Sequence, residues 1–137
     1  MPQDQKKKIL IVDDDPVILR LLEKSLPKAH GYEVFTALES RKGFEMAKTH
    51  QPDLILLDIM IPDQSGGDLA QDLKNDPKTR DIPIVFMSVL LEEEGKKRIE
   101  IHGQEYRAVA KPIYLPELLS AIRKAINESQ SKDGEHS

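Results

Sequence analysis

Residues 54–58 read Leu-Ile-Leu-Leu-Asp, four apolar side chains in a row closed by a carboxylate. An unbroken apolar run needs cover on both faces, as in a parallel sheet layered between helices. Lys8 to Val12 (KILIV) has the same character and leads into Asp13-Asp14-Asp15. Ile84 to Met87 (IVFM) leads into Ser88, and Ala108 to Ala110 (AVA) into Lys111-Pro112. Tyr32 to Thr36 (YEVFT) reads as a shorter strand ending in Thr36.

Amphipathic segments separate these runs. Pro16 suits a helix start, and Val17, Ile18, Leu21, Leu22 and Leu26 follow at helical spacing. Ser40 is placed to cap a helix carrying Phe44 and Ala47 inward. Leu69 and Leu73 mark a third helix after a loop with Pro62, Gly66 and Gly67. The charged stretch Glu92 to His102 is expected as an exposed fourth helix, with pairs such as Glu93–Lys97. Pro116 opens a fifth, with Leu118, Leu119, Ile122 and Ile126 inward. Strand and helix alternating five times predict an α/β doubly wound (βα)5 fold of flavodoxin-like type. Its five-stranded parallel sheet, in order 2-1-3-4-5, carries helices on both faces. One domain is expected over residues 7–126. Residues 1–6 are expected to form a flexible N-terminus, and 127–137, which contain no apolar residue, a flexible polar tail.

Composition narrows the function. A net charge of −4 gives no basic footprint for direct nucleic-acid binding. The absence of cysteine removes disulfides and thiolate metal sites from consideration. The lysines near the N-terminus precede only Ile9 to Val12 before three aspartates intervene, too short for a signal peptide. No membrane span is expected, and a cytoplasmic location follows.

In the order 2-1-3-4-5, the strands ending in Asp13-Asp14-Asp15, Asp58, Ser88 and Lys111 are neighbours, about 4.8 Å apart. Crowded carboxylates raise one another's pKa unless a cation joins them. A hard divalent ion such as Mg²⁺ fits, because it takes carboxylates, waters and a phosphate oxygen. One carboxylate can then act as a nucleophile toward a phosphoryl group. Lys111 would neutralise phosphoryl charge, and Ser88 would donate a hydrogen bond to it.

The segments ILIVDDDP, PDLILLDIMIP, IPIVFMS and AKP, in this order, resemble the signature of receiver domains of two-component systems, over roughly residues 7–126. The segment NDPKTRDIP is also similar to that family. The resemblance implies that Asp58 is the phosphoacceptor, supplied by a sensor histidine kinase or a phosphotransfer protein. It implies Asp14 as a direct metal ligand, Asp13 helping through water, and the backbone carbonyl of Met60 completing the set. Mn²⁺ would substitute for Mg²⁺. Ser88 takes the family's Ser/Thr switch position, and Lys111 that of the lysine before a usually cis proline.

The implied protein is a signalling domain rather than an enzyme, though it assists its own phosphorylation and dephosphorylation. Its output passes to an unidentified protein target through the fourth helix, fifth strand and fifth helix, roughly residues 91–126. The same face is a candidate for homodimer formation. With apolar Met60 and Leu90 flanking the phosphate, self-dephosphorylation is expected to be slow.

Three departures from the family bear on the switch. Ala108 stands where an aromatic is frequent, with Tyr106 two residues earlier, so either a one-residue slip recruits Tyr106 or the aromatic is missing. Val89 follows Ser88 where many relatives have alanine, and Asp63-Gln64-Ser65-Gly66 replaces a frequent Gly-Met-Asp-Gly.

Alternatives are distinguishable. A pseudo-receiver, binding proteins without phosphorylation, would lack the acid pair, acceptor or lysine. A flavin-binding fold needs a phosphate loop where three aspartates stand. An aspartate-nucleophile phosphatase needs a second acid at the position of Met60. Taken alone, Asp15 is a helix N-cap, and His30, His50, His102 and His136 lack metal-ligand spacing.

Overall fold

A computed structural model describes residues 6–89 and 98–135, with side chains to residue 130. In chain order the elements are β1 (Lys8–Val12), α1 (Pro16–His30), β2 (Glu33–Ala37), α2 (Ser40–His50), β3 (Leu54–Asp58) and α3 (Gly66–Asn75). They continue as β4 (Ile84–Ser88), β5 (Arg98–Ile101), β6 (Gln104–Ala110) and α4 (Leu115–Glu135). The sheet order is β2-β1-β3-β4-β6-β5, with every pairing parallel except β5–β6. The expected parallel order is therefore present, β6 taking the fifth place, and β5 is added at the edge.

Both faces of the sheet are covered, as the unbroken apolar runs require. Ile9, Ile11, Leu54, Leu56, Val85 and Met87 pack with α1 and α4. Leu10, Val12, Ile55, Leu57, Ile84 and Phe86 pack on the other face with α2 and α3. Each strand thus divides its consecutive residues between two cores through the two-residue pleat.

Local chemistry sets the helix ends. Asp15 caps α1, its Oδ1 accepting the Val17 N–H at 2.9 Å, and Gly31 closes it at φ 68°. The buried stripe of α1 is Leu19, Leu22 and Leu26, while Val17 and Leu21 face solvent. Ser40 is not a side-chain cap, in contrast to the expectation. Its hydroxyl donates to Gln64 O at 2.7 Å, and Asp63, from the loop after β3, accepts the N–H groups of Ser40 and Arg41 at 3.0 and 3.1 Å. A carboxylate distant in sequence thereby caps α2.

Beside shifts of β2 from Tyr32–Thr36 to Glu33–Ala37 and of the fifth-strand start from Ala108 to Gln104, two regions differ from the sequence reading. Residues 90–97 lie outside the described residues, including Leu90 and the first half of the expected fourth helix. Arg98–Ile101 is a strand, not a helix. His102 (φ 50°) and Gly103 (φ 77°) make the two-residue turn that returns the chain to β6. Ile99 and Ile101 alternate with charged neighbours and pack on the α2–α3 core, which favours a strand over the helical spacing of the charges. At the other boundary, helix α4 continues through Glu135, into the stretch from residue 127 expected to be a flexible polar tail.

Candidate functional site

Register brings the strand ends to one rim. Val12 lies opposite Leu57, Asp58 opposite Met87, and Ser88 opposite Ala110, so the residues after β1 and β6 meet the ends of β3 and β4. The carboxylates of Asp13, Asp14 and Asp58 each present an oxygen within 4.8 Å of the others. Asp13 and Asp58 are buried and Asp14 is exposed. Lys111 Nζ lies 2.7 Å from Asp13 Oδ2 and 3.3 Å from Asp58 Oδ1. Lys111 in turn follows Ser88 across the ladder, its N–H donating to Ser88 O at 2.9 Å, and its peptide bond to Pro112 is cis.

Burial raises the pKa of Asp58, and the Asp13 carboxylate raises it further. The Lys111 ammonium and the Met60 N–H oppose both only in part. Burial alone would lower Lys111, but the Asp13 and Asp58 carboxylates outweigh it and hold the ammonium above the usual lysine range. One ammonium among three carboxylates leaves net negative charge. Asp13 Oδ1 accepts the Asp15 N–H at 2.9 Å, while its buried Oδ2 has no hydrogen bond beyond the Lys111 ion pair. A set of carboxylate oxygens with an underused buried acceptor suits a small, hard divalent cation, not a soft metal.

The loop after β3 shapes the site from above. Gly66 N–H donates to Ile59 O at 2.7 Å, and a Cβ on Gly66 would sit 2.0 Å from Asp58 O. Glycine is therefore required for the chain to close over the end of β3. The Asp63 tether to α2 fastens the same loop. The departure Asp63-Gln64-Ser65-Gly66 was visible in the sequence, but its contact with α2, 22 and 23 residues away, was not.

Ala108 does lie beside Phe86, so no one-residue slip occurs. Tyr106, two residues earlier, faces the same side of the sheet and meets Phe86 edge-on, with centroids 5.0 Å apart. An even displacement keeps Tyr106 in the α2–α3 core but one pleat below Ala108.

A further feature escaped the sequence reading. An exposed apolar residue follows each site segment: Val17 in the first turn of α1 after Asp13–Asp15, Met60 after Asp58, Val89 after Ser88, and Tyr114 after Lys111.

The response regulator receiver domain family matches residues 9–123, and the chain belongs to that family. Among its relatives, the polar-differentiation response regulator DivK of Brucella anthropi is 30% identical over 123 residues, covering 90% of this chain and 98% of DivK. The DNA-binding dual master transcriptional regulator RpaA of Synechocystis sp. is 36% identical over 125 residues, covering 89% of this chain but only 50% of RpaA. The chain thus spans half the length of one curated relative and nearly all of the other. A crystal structure of a sensor protein from Polaromonas sp. JS666 superposes with a TM-score of 0.77 at 28% identity, covering 90% of this chain and 98% of that one. Receiver domains are signalling domains of two-component systems. No helix among the described residues is long and apolar enough to cross a membrane.

Proposed function

We propose that this receiver domain accepts a phosphoryl group on Asp58 from a phosphohistidine of a sensor kinase or phosphotransfer protein. The observation that carries this reading is the position of Asp58, buried at the end of β3 among Asp13, Asp14 and Lys111. Its carboxylate oxygen forms the new P–O bond as the P–N bond of phosphohistidine breaks, the imidazole nitrogen keeping the electron pair. Asp13, Asp14, Asp58 and the Met60 carbonyl would hold Mg²⁺, with Mn²⁺ as a substitute. When bound, the ion screens the anionic donor from the attacking carboxylate. Lys111 shifts from the carboxylates toward phosphoryl oxygen, and the Ser88 hydroxyl donates to another. The exposed apolar residues Val17, Met60, Val89 and Tyr114, each a few residues after a site residue, would be available for contact with the donor protein.

Signalling then follows from a shift between inactive and active forms through Ser88 and the loop after it, read by a protein target rather than by DNA, in the cytoplasm. The expected output and dimer face, residues 91–126, would present β5 and its turn in place of the second half of a fourth helix.

Intact mass after incubation with Mg²⁺ and acetyl phosphate tests the proposal, with Asp58→Ala as control. One added phosphoryl group in the wild type only, abolished by chelation, is the expected result. No addition, with Mg²⁺ binding shown separately, would leave a pseudo-receiver that works by protein binding alone.

A further inference from the structure

Helix α2 has no N-terminal cap of its own. Glu39 stands at the cap position without a side-chain hydrogen bond, and the first turn holds no acidic residue. Asp63 supplies the cap instead, its two carboxylate oxygens accepting the Ser40 and Arg41 N–H groups at 3.0 and 3.1 Å. A second bond runs the other way, from the hydroxyl of the fully buried Ser40 to Gln64 O at 2.7 Å. Gln64 Nε2 also donates to Asp72 of α3 at 2.8 Å. Two adjacent residues thus fasten the loop between β3 and α3 to both flanking helices.

Helix α2 is a fixed anchor. A Cβ on Gly43 would sit 2.7 Å from the Val12 side chain, so the helix lies directly on the end of β1 with no room to move inward. Val12 immediately precedes Asp13 and Asp14. At the other end of the tether, Met60 lies three residues before Asp63, and its N–H donates to the Asp58 carboxylate.

We infer that Asp63 is a positioning residue for the metal and phosphoryl site: by holding its loop on α2, it fixes the Met60 peptide relative to the strand end that bears Asp13 and Asp14. The inference rests on the reading that Asp13, Asp14, Asp58 and the Met60 carbonyl hold Mg²⁺. Those donors come from two segments, the end of β1 and the end of β3 with its loop, and Mg²⁺ tolerates little departure from octahedral geometry. A loop already held in place need not be ordered when the ion binds, so less conformational entropy is lost. A carboxylate suits the task, because charged hydrogen bonds are stronger than neutral ones and the positive end of the α2 dipole favours an anion. The family's frequent Gly-Met-Asp-Gly has glycine at this position and cannot make these bonds. The tether therefore depends on a residue at which this sequence departs from that pattern.

Calorimetric Mg²⁺ titration of the metal-free chain, together with amide hydrogen exchange of the β3–α3 loop, tests the inference. Asp63→Ala is expected to weaken Mg²⁺ affinity about three- to tenfold, at or below the loss from removing a direct partner of a ligand. The same variant should speed exchange of the Met60 and Ile61 amides before any ion is added. Ser40→Ala removes the second bond and should shift both readings the same way. Asp63→Asn keeps an acceptor for the α2 N–H groups and should recover most of the affinity. Thr79→Ala controls for stability alone. It deletes a buried hydroxyl that donates to Leu73 O at 2.6 Å, near the opposite end of α3, and should lower the melting temperature without changing Mg²⁺ affinity. An affinity in Asp63→Ala within about twofold of wild type overturns the inference. So does an equal loss in Thr79→Ala, or a chain that binds no Mg²⁺. The expected differences in a chain that takes no phosphoryl group would defeat the phosphoacceptor reading and leave the positioning role standing.

Discussion

Lys111 Nζ lies closer to Asp13 than to Asp58, at 2.7 Å against 3.3 Å, so one ammonium at the end of β6 bridges carboxylates from β1 and β3. The lysine balances the buried acids, and in the proposed reaction it would stand where phosphoryl charge develops on Asp58.

Lys111→Met removes the balancing charge and leaves two buried carboxylates facing each other. Breaking one side of such a pair is destabilising, here by about 1–3 kcal/mol given the partial access of the lysine to water. The urea midpoint should fall, and Mg²⁺ should restore more stability to the variant than it adds to wild type. An unchanged midpoint without added metal would contradict the balancing role.

Asp58→Asn tests the same repulsion from the other side. Because burial and Asp13 raise the native pKa of Asp58, the folded protein holds that proton more tightly than the unfolded chain does. Stability from this group is greatest below the ordinary value near pH 4 and declines as pH rises through the raised native pKa. The asparagine variant should melt about 2–4 °C above wild type at pH 7, and the difference should close near pH 3. A variant less stable than wild type at pH 7 would refute this account.

Asp63 carries the opposite sign. The Ser40 N–H holds its carboxyl below the usual range, with the Arg41 N–H adding to the effect. Its contribution is present above about pH 4 and is lost as pH falls through the lowered native pKa. Asp63→Ala should lower the melting temperature by about 2–4 °C at neutral pH, the loss of one helix cap, with Asp63→Asn largely restoring it. Equal melting of wild type and Asp63→Ala at pH 7 would remove Asp63 from the capping role.

Tyr106 separates packing from switching. Tyr106→Phe keeps the edge-on contact with Phe86 and should cost less than about 1.5 kcal/mol, whereas Tyr106→Ala opens a core cavity and should cost about 3–5 kcal/mol. Two residues of strand place the ring about 6.6 Å lower along β6 than Ala108. The phosphorylation-dependent change, followed by NMR shifts of the Ser88 region, should therefore survive Tyr106→Phe. Its loss in that variant would give the hydroxyl a direct part in the switch.

The parallel core was legible because its signals are local. Unbroken apolar runs require two covered faces, and parallel βα units deliver every strand's carboxyl end to one rim, so Asp13, Asp14, Asp58, Ser88 and Lys111 could be grouped from their places in the sequence alone. Asp15 likewise acts on a residue two positions away, and its capping role was visible. The remaining features depend on partners far along the chain. Charges at helical spacing and isoleucines at strand spacing coexist in residues 92–102, and pairing with β6 and packing beside α3 decide for a strand over Arg98–Ile101. Asp63 caps α2 across 23 residues, which no local pattern announces. Tyr106 enters the core one pleat from Ala108 because register, a property of two strands together, sets its height. Sequence by itself determined which residues have the chemistry and at which strand ends they stand. Tertiary structure alone decided how the edge is built and what holds the site's loop, since both come from contacts made only after the layers have packed.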